Sequence, residues 1–144
     1  MGKIRRPARM LLPWLLLLGT GTAQAGALAC GDFLAQLGHK PTYLVYQGCQ
    51  QNMARQAQPF EARYQVDGGH ARQAEAYLRR VYGLPRLKRY CCVWDSTPHS
   101  WRERRTGIAY VMGMATGETP VRTRAAWPDI DRFVVNVDAY AQDP

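Results

Sequence analysis

Four cysteines and three histidines are the side chains of this sequence best suited to redox, metal or nucleophilic chemistry. Two of the cysteines are adjacent, in the stretch Tyr90-Cys91-Cys92-Val93-Trp94, and two more, Cys30 and Cys49, lie upstream. In an oxidising compartment four cysteines make two disulfides, with three connectivities open. Read as one extended strand, Leu87 to Trp94 sends Cys91 and Cys92 to opposite faces, because successive side chains alternate. A bond between the two neighbours would need a strained ring, so each is expected to take one of Cys30 and Cys49; which takes which stays open. Loops of about 40 to 60 residues closed in this way stabilise by ~4 kcal/mol each in the chain-entropy model.

Other chemistry fits the spacing less well. A thioredoxin-type centre places Cys-x-x-Cys at a helix start, where the attacking thiol is acidified; adjacent cysteines in a strand do not. Zinc sites use Cys-x-x-Cys or His-x-x-x-His spacings, which are missing here, so no metal and no cofactor are expected. His39, His70 and His99 each lie beside a turn or an element end, outside any nucleophile or metalloprotease motif. His99 next to Ser100, with Asp95 close by, suggests a triad, but triads are recognised by geometry across a fold and not by adjacency. No catalytic residue is therefore assigned.

The first residues bear on where the thiols end up. Lys3, Arg5, Arg6 and Arg9 precede an apolar run around Leu11, Leu12, Trp14 and Leu15, and small residues follow up to Ala25. This layout predicts a cleaved signal peptide over residues 1–25 and a mature single domain over 26–144. An apolar core of about 9 residues falls short of the ~20 that cross a bilayer, so no membrane span is expected. Ala27-Leu28-Ala29-Cys30 fits a lipoprotein box poorly, with the large aliphatic residue two positions before the cysteine instead of three; a lipid anchor at Cys30 is the weaker reading.

Removing the leader changes the charge argument. The whole chain carries +8 from 19 basic and 11 acidic side chains; without the leader's four basic residues the balance is +4. That is ordinary for a domain of this length and does not point to nucleic acid. The excess is uneven, with eight basic residues between Arg79 and Arg105 against Asp95 and Glu103. Trp101, Arg102, Arg104 and Arg105 are the candidate contact residues for an acidic protein partner, since arginine and aromatic side chains anchor interfaces.

The elements that position these residues follow from periodicity. Phe33, Leu34 and Leu37 share one side of a two-turn helix that stops at Gly38. Thr42 to Gly48 suits a strand, and Gln50 to Pro59 a polar connection. Phe60, Ala62, Tyr64 and Val66 alternate with polar residues as a half-buried strand does. From His70 to Tyr82, Ala71, Ala74, Leu78 and Val81 recur at helical spacing. Strands are expected over 87–94, 106–115 and 131–140, with polar or irregular chain over 95–105 and 121–127. With connections this short, the expectation is an α+β domain, disulfide-stapled, in which one long and one short helix pack on a mostly antiparallel sheet of about five strands.

Cys91-Cys92-Val93-Trp94, with Cys30-Gly31-Asp32-Phe33-Leu34, Lys40-Pro41 and Ala74-Glu75-Ala76-Tyr77-Leu78, resembles a family of small exported bacterial proteins known only as a domain of unknown function. In that family a Cys-Cys-x-Trp motif follows a helix of the Glu-x-Tyr-Leu kind. The resemblance covers roughly Cys30 to Trp94 and implies no activity and no catalytic residue. Together these readings predict an exported protein, periplasmic or secreted, that binds without catalysis, as an inhibitor or immunity protein for a secreted enzyme or toxin does. The alternatives are a small envelope hydrolase with a site around His99, or an envelope protein held by a lipid at Cys30.

Overall fold

The computed structural model describes Gly2 and residues 27–141, so the signal peptide expected over residues 1–25 lies outside the described residues but for Gly2. In chain order the elements are α1 (Phe33–Leu37), β1 (Val45–Gln51), β2 (Phe60–Asp67), α2 (Ala71–Tyr82), β3 (Lys88–Tyr90), β4 (Val93–Asp95), β5 (His99–Arg102), β6 (Ala109–Ala115), a 3-10 helix (Arg124–Asp129) and β7 (Arg132–Tyr140). The strands form one sheet in the order β1-β2-β7-β6-β4-β3, and β5 lies beside β4 along the same edge of β6. Every pairing is antiparallel. The α+β architecture is as expected, but with seven strands and three helical segments among the described residues instead of five and two.

Each difference has a local cause. The stretch 87–94 is a hairpin, not one strand, because the chain reverses at Cys91-Cys92. Residues 95–105, expected to be a polar connection, contain β5, whose polar residues are tolerated because the strand sits on the sheet's rim. The irregular stretch 121–127 leads into the 3-10 helix, which drives Trp127 into the core.

One face of the sheet carries the helices. Ala62, Tyr64 and Val66 of β2, Phe133, Val135 and Val137 of β7, and Tyr110, Met112 and Met114 of β6 are buried in a single cluster with Leu78 of α2 and Phe33 of α1. The aromatic rings join the layers: Phe33 packs edge-on to Tyr110 at 5.8 Å, and Trp127 lies 5.0 Å from Phe133 and 5.2 Å from Trp94. The opposite face carries Glu61, Arg63, Asn136 and Asp138, among which Arg55 reaches Glu61 at 2.7 Å and Asp138 at 2.5 Å. Helix α2 buries Ala71, Ala74 and Leu78 as expected, but Val81, expected on the same stripe, is exposed because the buried face turns to Tyr77 and Tyr82; the helix ends at Gly83, whose φ of +78° favours glycine and whose N–H bonds back to Arg79. Among the described residues no helix is long and apolar enough to cross a membrane.

A buried carboxylate ties α2 to the hairpin that follows it. Glu75, 4% exposed, accepts the Leu87 N–H at 2.8 Å and pairs with Arg124. Arg124 in turn donates to the Leu87 carbonyl at 3.1 Å and lies over the Trp127 ring at 4.2 Å. Burial of a charge is tolerated because the acid, the base and the backbone group satisfy one another.

Candidate functional site

Register places the adjacent cysteines. Lys88 pairs with Asp95, Arg89 with Trp94 and Tyr90 with Val93, so Cys91 and Cys92 are the two-residue loop of the β3–β4 hairpin. Cys91 has φ of +52° and is followed by a residue with ordinary φ, the sign pattern of a type II′ turn, in which glycine is usual at the first position. A side chain there costs roughly 1–2 kcal/mol. The turn cancels strand alternation, and the two sulfurs lie 2.8 Å apart on one side.

This overturns the expected cross-pairing. Cys30 is bonded to Cys49, their Cα atoms 5.6 Å apart and 19 residues apart in sequence, while Cys91 and Cys92 are free thiols. The disulfide therefore clamps the approach to α1 onto β1 and does not reach the β3–β4 hairpin. It also occupies the Cys30 sulfur that a lipid anchor would require.

The hairpin tip is held by polar contacts instead. Arg89 donates to the carbonyls of Val121 at 2.5 Å and Thr119 at 3.0 Å, the Trp94 indole N–H reaches the Val121 carbonyl at 3.0 Å, and the Thr119 N–H reaches the Cys92 carbonyl at 2.8 Å. Between the turn and the loop after β6 lies a surface pocket of about 490 Å³ bordered by Arg89, Cys91, Cys92, Glu118 and Arg122. The hydrogen bond shared with Cys91 stabilises the protonated Cys92 thiol and holds it above its ordinary pKa.

The candidate contact residues lie at the other end of β6, on the β5–β6 hairpin. Its register, His99 with Met112 through Arg102 with Ala109, sets Trp101 and His99 toward the helices and Ser100 and Arg102 away from them. Trp101, expected on the contact surface, is thus half-buried, edge-on to Tyr82 at 5.0 Å and 5.8 Å from Tyr110. Arg102, Arg104 and Arg105 are exposed, with Arg102 donating to the Gly107 carbonyl at 2.5 Å. Glu103, the one acid in the turn, accepts from Arg105 at 3.2 Å and from the Thr106 hydroxyl.

The triad considered around His99 does not assemble. His99 and Ser100 are neighbours on β5 and face opposite sides of it. Asp95 sits at the end of β4, where burial holds its carboxyl above the usual range.

An arrangement that sequence reasoning missed lies at the start of α2. Asp67 accepts the His70 backbone N–H at 3.0 Å and its Nδ1 at 2.8 Å, and Tyr43 stacks on the imidazole at 5.3 Å. The imidazole bond holds the Asp67 carboxyl below its usual value. The sequence signal was Asp67 three residues before His70 at a helix entry, and the geometry is that of a turn: the Asp67 carboxylate accepts the His70 N–H, which the Asp67 carbonyl also accepts at 3.1 Å, and orients the side chain of the same residue.

The model of a domain of unknown function, DUF4952, matches residues 21–94, just over half of the chain. No curated protein and no solved structure matches it. The matched segment ends at Trp94, inside β4, so it includes both cysteine pairs but neither β6 nor β7.

Proposed function

The chain belongs to the DUF4952 family, whose description assigns no activity, and we propose that it acts outside the cytoplasm as a non-enzymatic binding protein of the inhibitor or immunity kind. Its contact element is the β5–β6 hairpin, and its partner is an acidic protein. The observation that carries this reading is the cluster of exposed Arg102, Arg104 and Arg105 around a turn whose single acid, Glu103, is 16% exposed and already engaged. Clustered arginines on a rigid hairpin steer an acidic surface to one orientation and hold it there. Trp101 serves as the hairpin's inner anchor, fixing the strand on Tyr82 and Tyr110 so that the arginines are presented without loss of order. The Cys30–Cys49 disulfide supports an oxidising compartment, where such bonds persist.

Affinity capture from an envelope extract tests the reading, comparing the wild-type chain with the triple charge reversal Arg102→Glu, Arg104→Glu, Arg105→Glu. The expected result is one defined acidic protein, released by raised salt and retained at least about tenfold less by the variant, as loss of several charge-assisted contacts implies. Equal retention by both chains, or no retained protein, overturns it.

A further inference from the structure

The tip of the β3–β4 hairpin brings together features that the binding reading does not use. Cys91 and Cys92 present their sulfurs on one side of a two-residue turn, 2.8 Å apart, closer than two non-bonded sulfur atoms ordinarily approach. A disulfide bond is about 2.05 Å long, so closure needs the sulfurs to approach by less than an ångström. Cys91 is exposed and Cys92 half-exposed, and both open on the pocket bordered by Arg89 and Arg122. The other two cysteines of the chain are bonded to each other, which leaves each of these thiols only its neighbour as an intramolecular partner. The backbone also accepts a positive φ at Cys91, a conformation that glycine would adopt freely. A turn built for shape alone has no need of a cysteine there.

We propose that Cys91 and Cys92 are a thiol–disulfide exchange site, which closes to a vicinal disulfide at the expense of an incoming disulfide. Exposed Cys91, as thiolate, attacks one sulfur of the reactant; a mixed disulfide forms and the first thiol departs. The Cys92 sulfur then attacks the Cys91 sulfur of the mixed disulfide, forming the bond between the neighbours and releasing the second thiol. The hairpin gives up two electrons and two protons, and the reactant disulfide is reduced to two thiols. Arg89 and Arg122 outnumber Glu118 at the pocket, and this net positive charge favours an anionic reactant and the thiolate it leaves. The hydrogen bond between the thiols keeps the second nucleophile beside the first, so the mixed disulfide is resolved within the chain and does not accumulate.

The test equilibrates the purified protein in glutathione and glutathione disulfide mixtures of rising oxidising ratio, quenches in acid, alkylates and weighs the product. The wild-type chain is expected to pass from two alkylated cysteines to none in one step. The tryptic peptide from Tyr90 to Arg102 then becomes lighter by two hydrogens and carries no glutathione. Cys91→Ser and Cys92→Ser each lack the resolving thiol and are expected to retain glutathione on the cysteine that is left. Two thiols that stay alkylatable at every ratio, a wild-type chain that ends as a glutathione adduct, or bonds from Cys91 or Cys92 to Cys30 or Cys49 overturn the proposal. The wild-type masses alone decide it if either variant fails to fold.

Discussion

Cys30 and Cys49 are 19 residues apart and bonded, whereas Cys91 and Cys92 are neighbours and carry free thiols. The distant pair closes a loop around α1, and in the chain-entropy account a bond stabilises through the loop it removes from the unfolded ensemble. The adjacent pair closes almost no loop, so oxidation there does little for stability in that account, and its value lies in reactivity. The two regions are correspondingly held by different means. The α1 end has a covalent clamp, while the β3–β4 hairpin relies on Glu75, Arg124 and Arg89 bonding to backbone groups. In this molecule the polar network, and not a disulfide, joins the cysteine pair to the rest of the fold.

Perturbing each region separately sharpens that contrast. The largest effect is expected from Glu75→Ala, which leaves Arg124 and the Leu87 N–H without their buried acceptor and lowers the unfolding free energy by roughly 3–5 kcal/mol; urea titration measures it. If the variant loses less than the disulfide variant below, the polar network is not the hairpin's main tie. Replacing Cys30 and Cys49 together by serine is expected to lower the same free energy by about 3 kcal/mol, the value for a loop of this length.

A smaller effect separates the regions by pH. Burial works to raise the Asp32 carboxyl, but Lys40, 2.7 Å away, and the Ala35 N–H hold it below its usual value. A carboxylate with a depressed folded-state pKa stabilises the fold above its unfolded pKa and loses that contribution as pH falls through the folded one. Stability is therefore expected to decline below about pH 4, the ordinary carboxylate range, and Asp32→Asn should flatten that limb in a series of urea midpoints. The smallest change has the opposite sign. Cys91→Gly relieves the positive φ and is expected to raise stability by ~0.5 kcal/mol once the entropy of glycine is subtracted. A loss at Cys91 would mean that its side chain contributes packing the turn needs.

Legibility in the sequence followed the strength of the local pattern. The alternation of Phe60 to Val66, the helical stripe of Ala71, Ala74 and Leu78, and the run Phe133, Val135, Val137 all predicted their elements within a residue or two, because each faces one continuous core. The β3–β4 hairpin was hidden because Cys91-Cys92 carries none of the Asn-Gly or Gly chemistry that marks a tight turn. Without that turn the alternation argument pointed the two thiols apart and sent them to the wrong partners. β5 was hidden because an edge strand of His99, Ser100, Trp101 and Arg102 has little apolar content, and Trp101 could not be turned inward until the strand was known. The Glu75–Arg124 pair spans 49 residues, and no local spacing announces it.

The strand order also bears on how the chain is made. β1 and β2 form one half-sheet, β3 to β6 form another, and only β7 hydrogen-bonds to both, through β2 and β6. During synthesis from the N-terminus, the Cys30–Cys49 loop and both half-sheets have emerged before the strand that unites them. The two half-sheets meet only across β7, so neither can share a continuous core with the other until that strand is in place.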